Sequence, residues 1–276
     1  MTGALRRRDR ILQHYLRAGN HPLKLRMEGW LRACMGISAH QVRCSTRWGT
    51  IMEVDPVEWV QREILYTGCY EPKTTELILS LLKAGDTFLD VGAHVGYYSL
   101  LAANQVGAKG RVISVEPNPR TFMGLRNNLR LNPSIQNVNA ILSAASNAMG
   151  LVEMSWPPDG NWGVSKITTQ DTAAYTIPCV DLSAILEHLK ISKVAVAKLD
   201  IENHERMAME GLCHTIKPGH IIFESNPGTI EPVNGITKFL EDQGYSIFNI
   251  NGEPCAPKQE IPENNLWARR SVNNTA

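Results

Sequence analysis

The chain has 276 residues, of which 43% are hydrophobic and 20% charged, with a formal net charge of +1. That is enough chain to bury a full core in one large domain or two small ones, and the balance excludes a whole-chain electrostatic claim on nucleic acid. Six scattered cysteines without C-x-x-C or Cys/His metal spacing suit a reducing compartment, the opening residues lack a secretion signal, and no apolar run reaches membrane-spanning length, so the expected location is cytoplasmic.

Residues 1–50 hold ten basic and two acidic side chains, a net of +8 that leaves −7 on the remainder. Residues 4–36 read as broken, basic helical segments interrupted near Gly19–Pro22. The asymmetry suits a solvated helical face, with contact to a membrane surface or an acidic partner as the alternatives. Thr46 to Val54 suggests a short strand pair. Asp55-Pro56 predicts a helix start, with Val57, Val60, Ile64 and Leu65 as its apolar face. Glu71-Pro72 predicts a second helix that ends by Gly85.

From Thr87 the pattern alternates between strand and helix, which predicts parallel strands joined by helical crossovers. Strands are expected at 87–92, 111–116, 138–144, 194–199 and 220–224, and helices at about 95–103, 120–132, 182–189 and 204–212. Residues 245–250 and 266–270 read as a closing hairpin. Residues 149–178 form an insertion too long for a simple loop, with Trp156 and Trp162 in a turn-rich context. It reads either as a cover for the site or as a small surface β-excursion.

The most informative stretch is Phe88 to Ser99. An apolar strand carries Asp90 near its tip, turns through Gly92 and Gly96, and enters a helix whose first amides can hold a carboxylate. Asp90 adds an acceptor for an ammonium, and S-adenosylmethionine has both groups. A second acid, Glu116, closes the next strand, where it can accept hydrogen bonds from ribose hydroxyls. A dinucleotide site needs G-x-G-x-x-G. Asp90-x-Gly92-x-x-x-Gly96 lacks the third glycine, which disfavours the rival reading of an NAD-dependent oxidoreductase.

Several blocks together resemble the FkbM family of S-adenosylmethionine-dependent methyltransferases: Asp55, Tyr66-x-Gly68-x-Tyr70-Glu71-Pro72, Gly85 to Ser99, Val115 to Pro119, Leu125 to Asn132, Val180 to Leu182, Lys198 to Glu205 with Gly211 closing that helix, and Ile221 to Glu224. The resemblance spans about residues 55–250. It implies a class I, Rossmann-like α/β fold: a mainly parallel seven-stranded sheet with an antiparallel terminal strand and helices on both faces. Residues 1–54 then form an N-terminal extension and 55–276 the methyltransferase domain. The sequence departs from the family at His94, where Asn is common, and at Asn203, where Gly is usual.

The resemblance implies O-methylation of a hydroxyl on a sugar or secondary metabolite, with a small or glycosylated acceptor and no nucleic acid. A cofactor-binding module without turnover is the rival from another class. Cofactor contacts are expected first from Tyr70 and Glu71, then from Asp90, Gly92, Ala93, His94, Gly96, Tyr98 and Ser99 around the glycine turn. Glu116, Pro117 and Asn118 are the second group, and Ser143 and Ala144 the expected adenine side. Asp200 is assigned to both cofactor and catalysis, His204 is the candidate base, and Glu202 is a catalytic candidate or a helix cap. Lys198 is placed to pair with a buried acid. A Mg²⁺ site from Asp200, Glu224 and Asn226 is the less favoured alternative.

Overall fold

The computed structural model describes residues 41–155, 167, 173–202, 204–224, 230–255 and 265–270. The helical segments expected at 4–36, the pair Trp156 and Trp162, Asn203 and Asn226 lie outside the described residues.

A hairpin of β1 (Val42–Ser45) and β2 (Ile51–Val54) opens the described chain. The first strand thus precedes Thr46, which instead makes the turn through a 2.7 Å side-chain bond to Thr50. Helix α1 (Trp59–Thr67) starts later than Asp55-Pro56 suggests. Asp55 spends a side-chain oxygen on the Val57 amide in a turn, whereas the buried Glu58 carboxylate caps the helix through the Val60 and Gln61 amides. Helix α2 (Pro72–Leu81) begins at its proline and ends before Gly85.

The centre is a seven-stranded sheet in the order β11-β12-β10-β9-β3-β4-β5. Its strands are β3 (Thr87–Val91), β4 (Arg111–Glu116), β5 (Val138–Leu142), β9 (Val196–Leu199), β10 (His220–Glu224), β11 (Tyr245–Asn249) and β12 (Asn265–Arg270). β12 runs antiparallel between β10 and β11; the other adjacent pairs are parallel. Apolar runs such as Val112-Ile113 and Ile221-Ile222-Phe223 are fully buried because a parallel sheet is covered on both faces.

Helices α3 (Tyr97–Val106), α4 (Pro119–Leu131), α5 (Leu182–His188), α6 (Glu205–Thr215) and α7 (Ile230–Asp242) form the cover. One apolar cluster joins α5, α6 and α7 to one face, and another joins the β1–β2 hairpin, α1, α2 and α3 to the opposite face. Helix α6 continues past Gly211, which is a packing position within it: a Cβ there would stand 2.6 Å from the Ser146 carbonyl oxygen.

The strand expected at 138–144 is two strands in different sheets. Ser143 breaks it, because its hydroxyl bonds to the Ala144 and Pro178 carbonyl oxygens. Beyond the break, β6 (Ala144–Ser146), β7 (Gly150–Ser155) and β8 (Ala173–Asp181) form a separate three-stranded sheet in the order β6-β8-β7. The described part of the insertion is therefore β structure that brings Met154 and Ile167 to the rim of the site. Among the described residues, no helix is long and apolar enough to cross a membrane.

Candidate active site

A cavity of about 260 Å³ opens at the carboxyl ends of the central strands, where open α/β sheets bind ligands. Its floor is the turn after β3. Gly92 has φ +81°, and a Cβ there would lie 1.9 Å from the Asp200 carbonyl oxygen, so only glycine lets the β3 and β9 tips come this close. His94 occupies the left-handed region at φ +52°, a geometry that His, Asn and Asp adopt more readily than other side chains. Its amide donates to Glu116 Oε2 (2.8 Å), while Glu116 Oε1 accepts from the Asn118 amide and the Thr121 hydroxyl. The acid at the β4 tip thus locks the glycine turn to the start of α4, and a carboxylate retains acceptor capacity beyond three bonds. Helix α3 starts at Gly96 with no side-chain cap, so its first-turn amides receive no hydrogen bond from a capping side chain.

Of the expected cofactor residues, Tyr70, Glu71, Gly92, Ala93, His94, Tyr98, Glu116, Pro117, Ala144 and Asp200 line the cavity. Asp90, Gly96, Ser99, Asn118 and Ser143 are not among the lining residues. Asp90 is fully buried; its Oδ2 accepts from the Ser99 hydroxyl at 2.5 Å, and its Oδ1 has no hydrogen-bond partner among the described residues. Burial raises Asp90 to about 6, opposed by Lys198 and the Ser99 bond. Asn118 accepts from the Arg120 amide and so caps α4, and Ser143 is spent on the two carbonyls that break the strand.

The polar wall comes from β9 and the segment after it. Lys198 is almost fully buried and donates to Asp200 Oδ2 at 2.6 Å, with its ammonium 4.8 Å from the centre of the Tyr98 ring. Burial works against the Lys198 charge, but Asp200, Glu71 and Asp90 outweigh it and raise its pKa. Glu202 and His204 both line the cavity, Glu202 in a left-handed conformation at φ +56°. The N-cap position of α6 is His204, which makes no side-chain cap bond, and the buried Glu205 carboxylate in the first turn accepts from the Ile201 amide at 2.8 Å. His204 Nε2 lies 3.0 Å from the Ser146 hydroxyl, and burial lowers its pKa, so the imidazole is neutral at neutral pH.

Several contributors escaped the sequence reading. Asn265, on the last strand, donates to Glu71 Oε1 (2.8 Å) across 194 residues of sequence, and Tyr98 donates to Glu71 Oε2 (2.7 Å). No local pattern signals a pairing of that span. Trp59, Tyr97 and Met154 also line the cavity, and Trp59, Tyr70, Tyr97 and Tyr98 form a chain of edge-to-face rings. No group of three or more His, Cys, Asp or Glu side chains suited to a metal occurs among the described residues.

A seven-stranded sheet with one antiparallel insertion, and acids on neighbouring strand tips around a glycine turn, defines a class I methyltransferase fold. The chain belongs to the FkbM methyltransferase family: the methyltransferase FkbM domain matches residues 90–247. Hexuronic acid methyltransferase AglP of Haloferax volcanii is 24% identical over 176 residues, covering 64% of this chain and 70% of that protein. A methyltransferase FkbM structure from Methylobacillus flagellatus has 18% identity and a TM-score of 0.46, over 68% of this chain and 45% of that one. A SAM-dependent O-methyltransferase from Thermotoga maritima has 13% identity and a TM-score of 0.47, over 86% and 95% of the two chains. The protein is accordingly an S-adenosylmethionine-dependent methyltransferase.

Proposed function

We propose that the protein methylates a hydroxyl oxygen of a sugar, free or within a glycosylated metabolite, in the cytoplasm. The observation that carries this reading is the meeting, in one cavity, of the Glu116-anchored glycine turn with the polar tips of β9 and β10. Support for a sugar acceptor comes from the relative that acts on a hexuronic acid.

The lining fits the cofactor. Glu116 retains acceptor capacity for ribose hydroxyls, the uncapped amides of α3 suit a carboxylate, and Ala144, Met154 and Ile167 offer an apolar wall for an adenine. Glu71, fixed by Tyr98 and Asn265, faces the same space and suits an ammonium. Asp90, Gly96, Ser99, Asn118 and Ser143 act in this reading from behind the wall, holding its shape.

When bound, S-adenosylmethionine supplies an electrophilic methyl group with a good leaving group. The protein's share is alignment, which is worth about 7–11 kcal/mol when reactants are well oriented, and removal of the hydroxyl proton. Asp200, held by Lys198, orients the acceptor hydroxyl, and neutral His204 takes its proton while Ser146 fixes the ring. Glu202 closes the acceptor side.

The test is calorimetric binding of S-adenosylmethionine, followed by incubation with a panel of methyl glycosides and mass detection of products heavier by one methylene. Binding with transfer to a sugar oxygen is the expected result. Binding without transfer to any hydroxylated acceptor would favour the non-catalytic module instead.

A further inference from the structure

The charge of the cavity is one-sided. Among the described lining residues, Glu71, Glu116, Asp200, Glu202 and Glu224 carry carboxyls, and Lys198 alone carries an ammonium. Three of these carboxyls are committed within the fold: Glu71 to Tyr98 and Asn265, Glu116 to the glycine turn and α4, and Asp200 to Lys198. Glu224 differs. It stands at the carboxyl end of β10, and its Oε2 is buried with no hydrogen-bond partner among the described residues. A buried acceptor left unpaired is costly, and here it lines a cavity from which a ligand can supply the partner.

The surroundings of Glu224 specify that partner's charge. Burial first, then the Asp200, Glu202 and Glu205 carboxyls, push Glu224 up to about 8, with Lys198 opposing. A cation beside it relieves that repulsion, and an anion adds to it. The cofactor brings only one net positive charge, which leaves the cavity acidic when loaded. Trp59, about half exposed, stands edge-on to Tyr70 with ring centres 6.2 Å apart. Such aromatic faces take up the apolar side of a sugar ring and hold cations well.

We propose that Glu224 is a specificity-determining residue that makes this cavity select an amino sugar, whose ammonium pairs with the Glu224 carboxylate, and reject anionic sugars such as hexuronates. The acceptor class would then differ from the one named for the Haloferax volcanii relative. The proposal rests on the methyltransferase reading above and names the acceptor of that same site.

The experiment is calorimetric titration of methyl glucosaminide, methyl glucoside and methyl glucuronide into the protein saturated with S-adenosylhomocysteine. The glucosaminide is expected to bind at least about tenfold tighter than the glucuronide. Glu224→Gln, which keeps shape but cannot ionise to meet an ammonium, should reduce that preference to about threefold or less, with S-adenosylhomocysteine affinity unchanged and the thermal midpoint not lowered. Equal or tighter binding of the glucuronide would overturn the proposal alone, as would binding of none of the three sugars or an undiminished preference in the variant. A tenfold or greater loss of S-adenosylhomocysteine affinity in the variant would also overturn it, by assigning Glu224 to the cofactor's own ammonium. Failure of the wild type to bind S-adenosylhomocysteine would instead overturn the cofactor reading and this proposal with it.

Discussion

Asp90 lies within the sheet at the base of the glycine turn, in a chain of bonds that runs from its carboxyl to Ser99 and on to Ser114. Burial raises its pKa from 3.8 to about 6. A carboxyl raised in the folded state binds its proton more tightly there, so its contribution to stability is complete below about pH 4 and lost as pH rises through 6. Two pKa units correspond to about 3 kcal/mol. Denaturant unfolding of wild type and Asp90→Asn should therefore show a stability difference that moves against the wild type by about that amount between pH 4 and 7. A pH-independent difference would mean that Asp90 titrates normally. His204 answers a different question, because it touches the cavity and is neutral through burial. His204→Ala should lower turnover by about 10²–10⁴ with cofactor affinity unchanged, if it takes the acceptor's proton. Near-full activity would remove it from the chemistry. Both Glu71 and Glu202 hold positive φ values, 41° and 56°, at the cavity wall. Strain of that kind persists where the surrounding structure over-determines it, commonly at functional sites.

Helix α4 serves as a substitute strand for the opening hairpin. Asn128 accepts from the Glu53 amide (2.7 Å) and donates to the Val95 carbonyl (2.9 Å), while Asn132 exchanges both bonds with the backbone of Ile51. The hairpin is thereby tied to the glycine turn through side chains on one helix. Asn128→Ala leaves a buried carbonyl and an amide unpaired, at about 1–3 kcal/mol each. Denaturant unfolding should show a loss of about 2–6 kcal/mol, and calorimetry a weaker affinity for S-adenosylmethionine because Val95 belongs to the turn. A loss confined to stability would uncouple the hairpin from the site. These links mark where sequence stops being informative. β3 and β4 are legible because their apolar runs end at Gly92 and Pro117, and β10 because Ile221-Ile222-Phe223 is an unbroken apolar run. Gly92 and Glu116 are legible as residues of the cavity lining for the same local reason. The Asn128–Glu53 and Asn265–Glu71 pairs are not, since nothing in either neighbourhood marks its distant partner. Ser143 misled because its strand-breaking bond to Pro178 depends on an element 35 residues away.

At the scale of the molecule, the cavity is where separately built parts converge. Tyr70 and Glu71 come from the segment before the sheet, Gly92 to Tyr98 from the first crossover, Met154 from the second sheet, Asp200 and His204 from β9 and beyond, and Asn265 from the inserted last strand. Two apolar clusters pack on opposite faces of the central sheet, so the parts surrounding the cavity belong to different packing units. A ligand that contacts all of them stabilises the folded state as a whole. At a concentration of one hundred times Kd the gain is about 2.7 kcal/mol. For a chain of 276 residues that corresponds to a rise in melting temperature of roughly 4–5 °C. S-adenosylmethionine and S-adenosylhomocysteine should both produce it, and NAD should leave the midpoint where it was. The comparison is decisive because the glycine turn departs from a dinucleotide site in both the number and the spacing of its glycines, so a shift with NAD and none with the sulfonium compound would reassign the pocket.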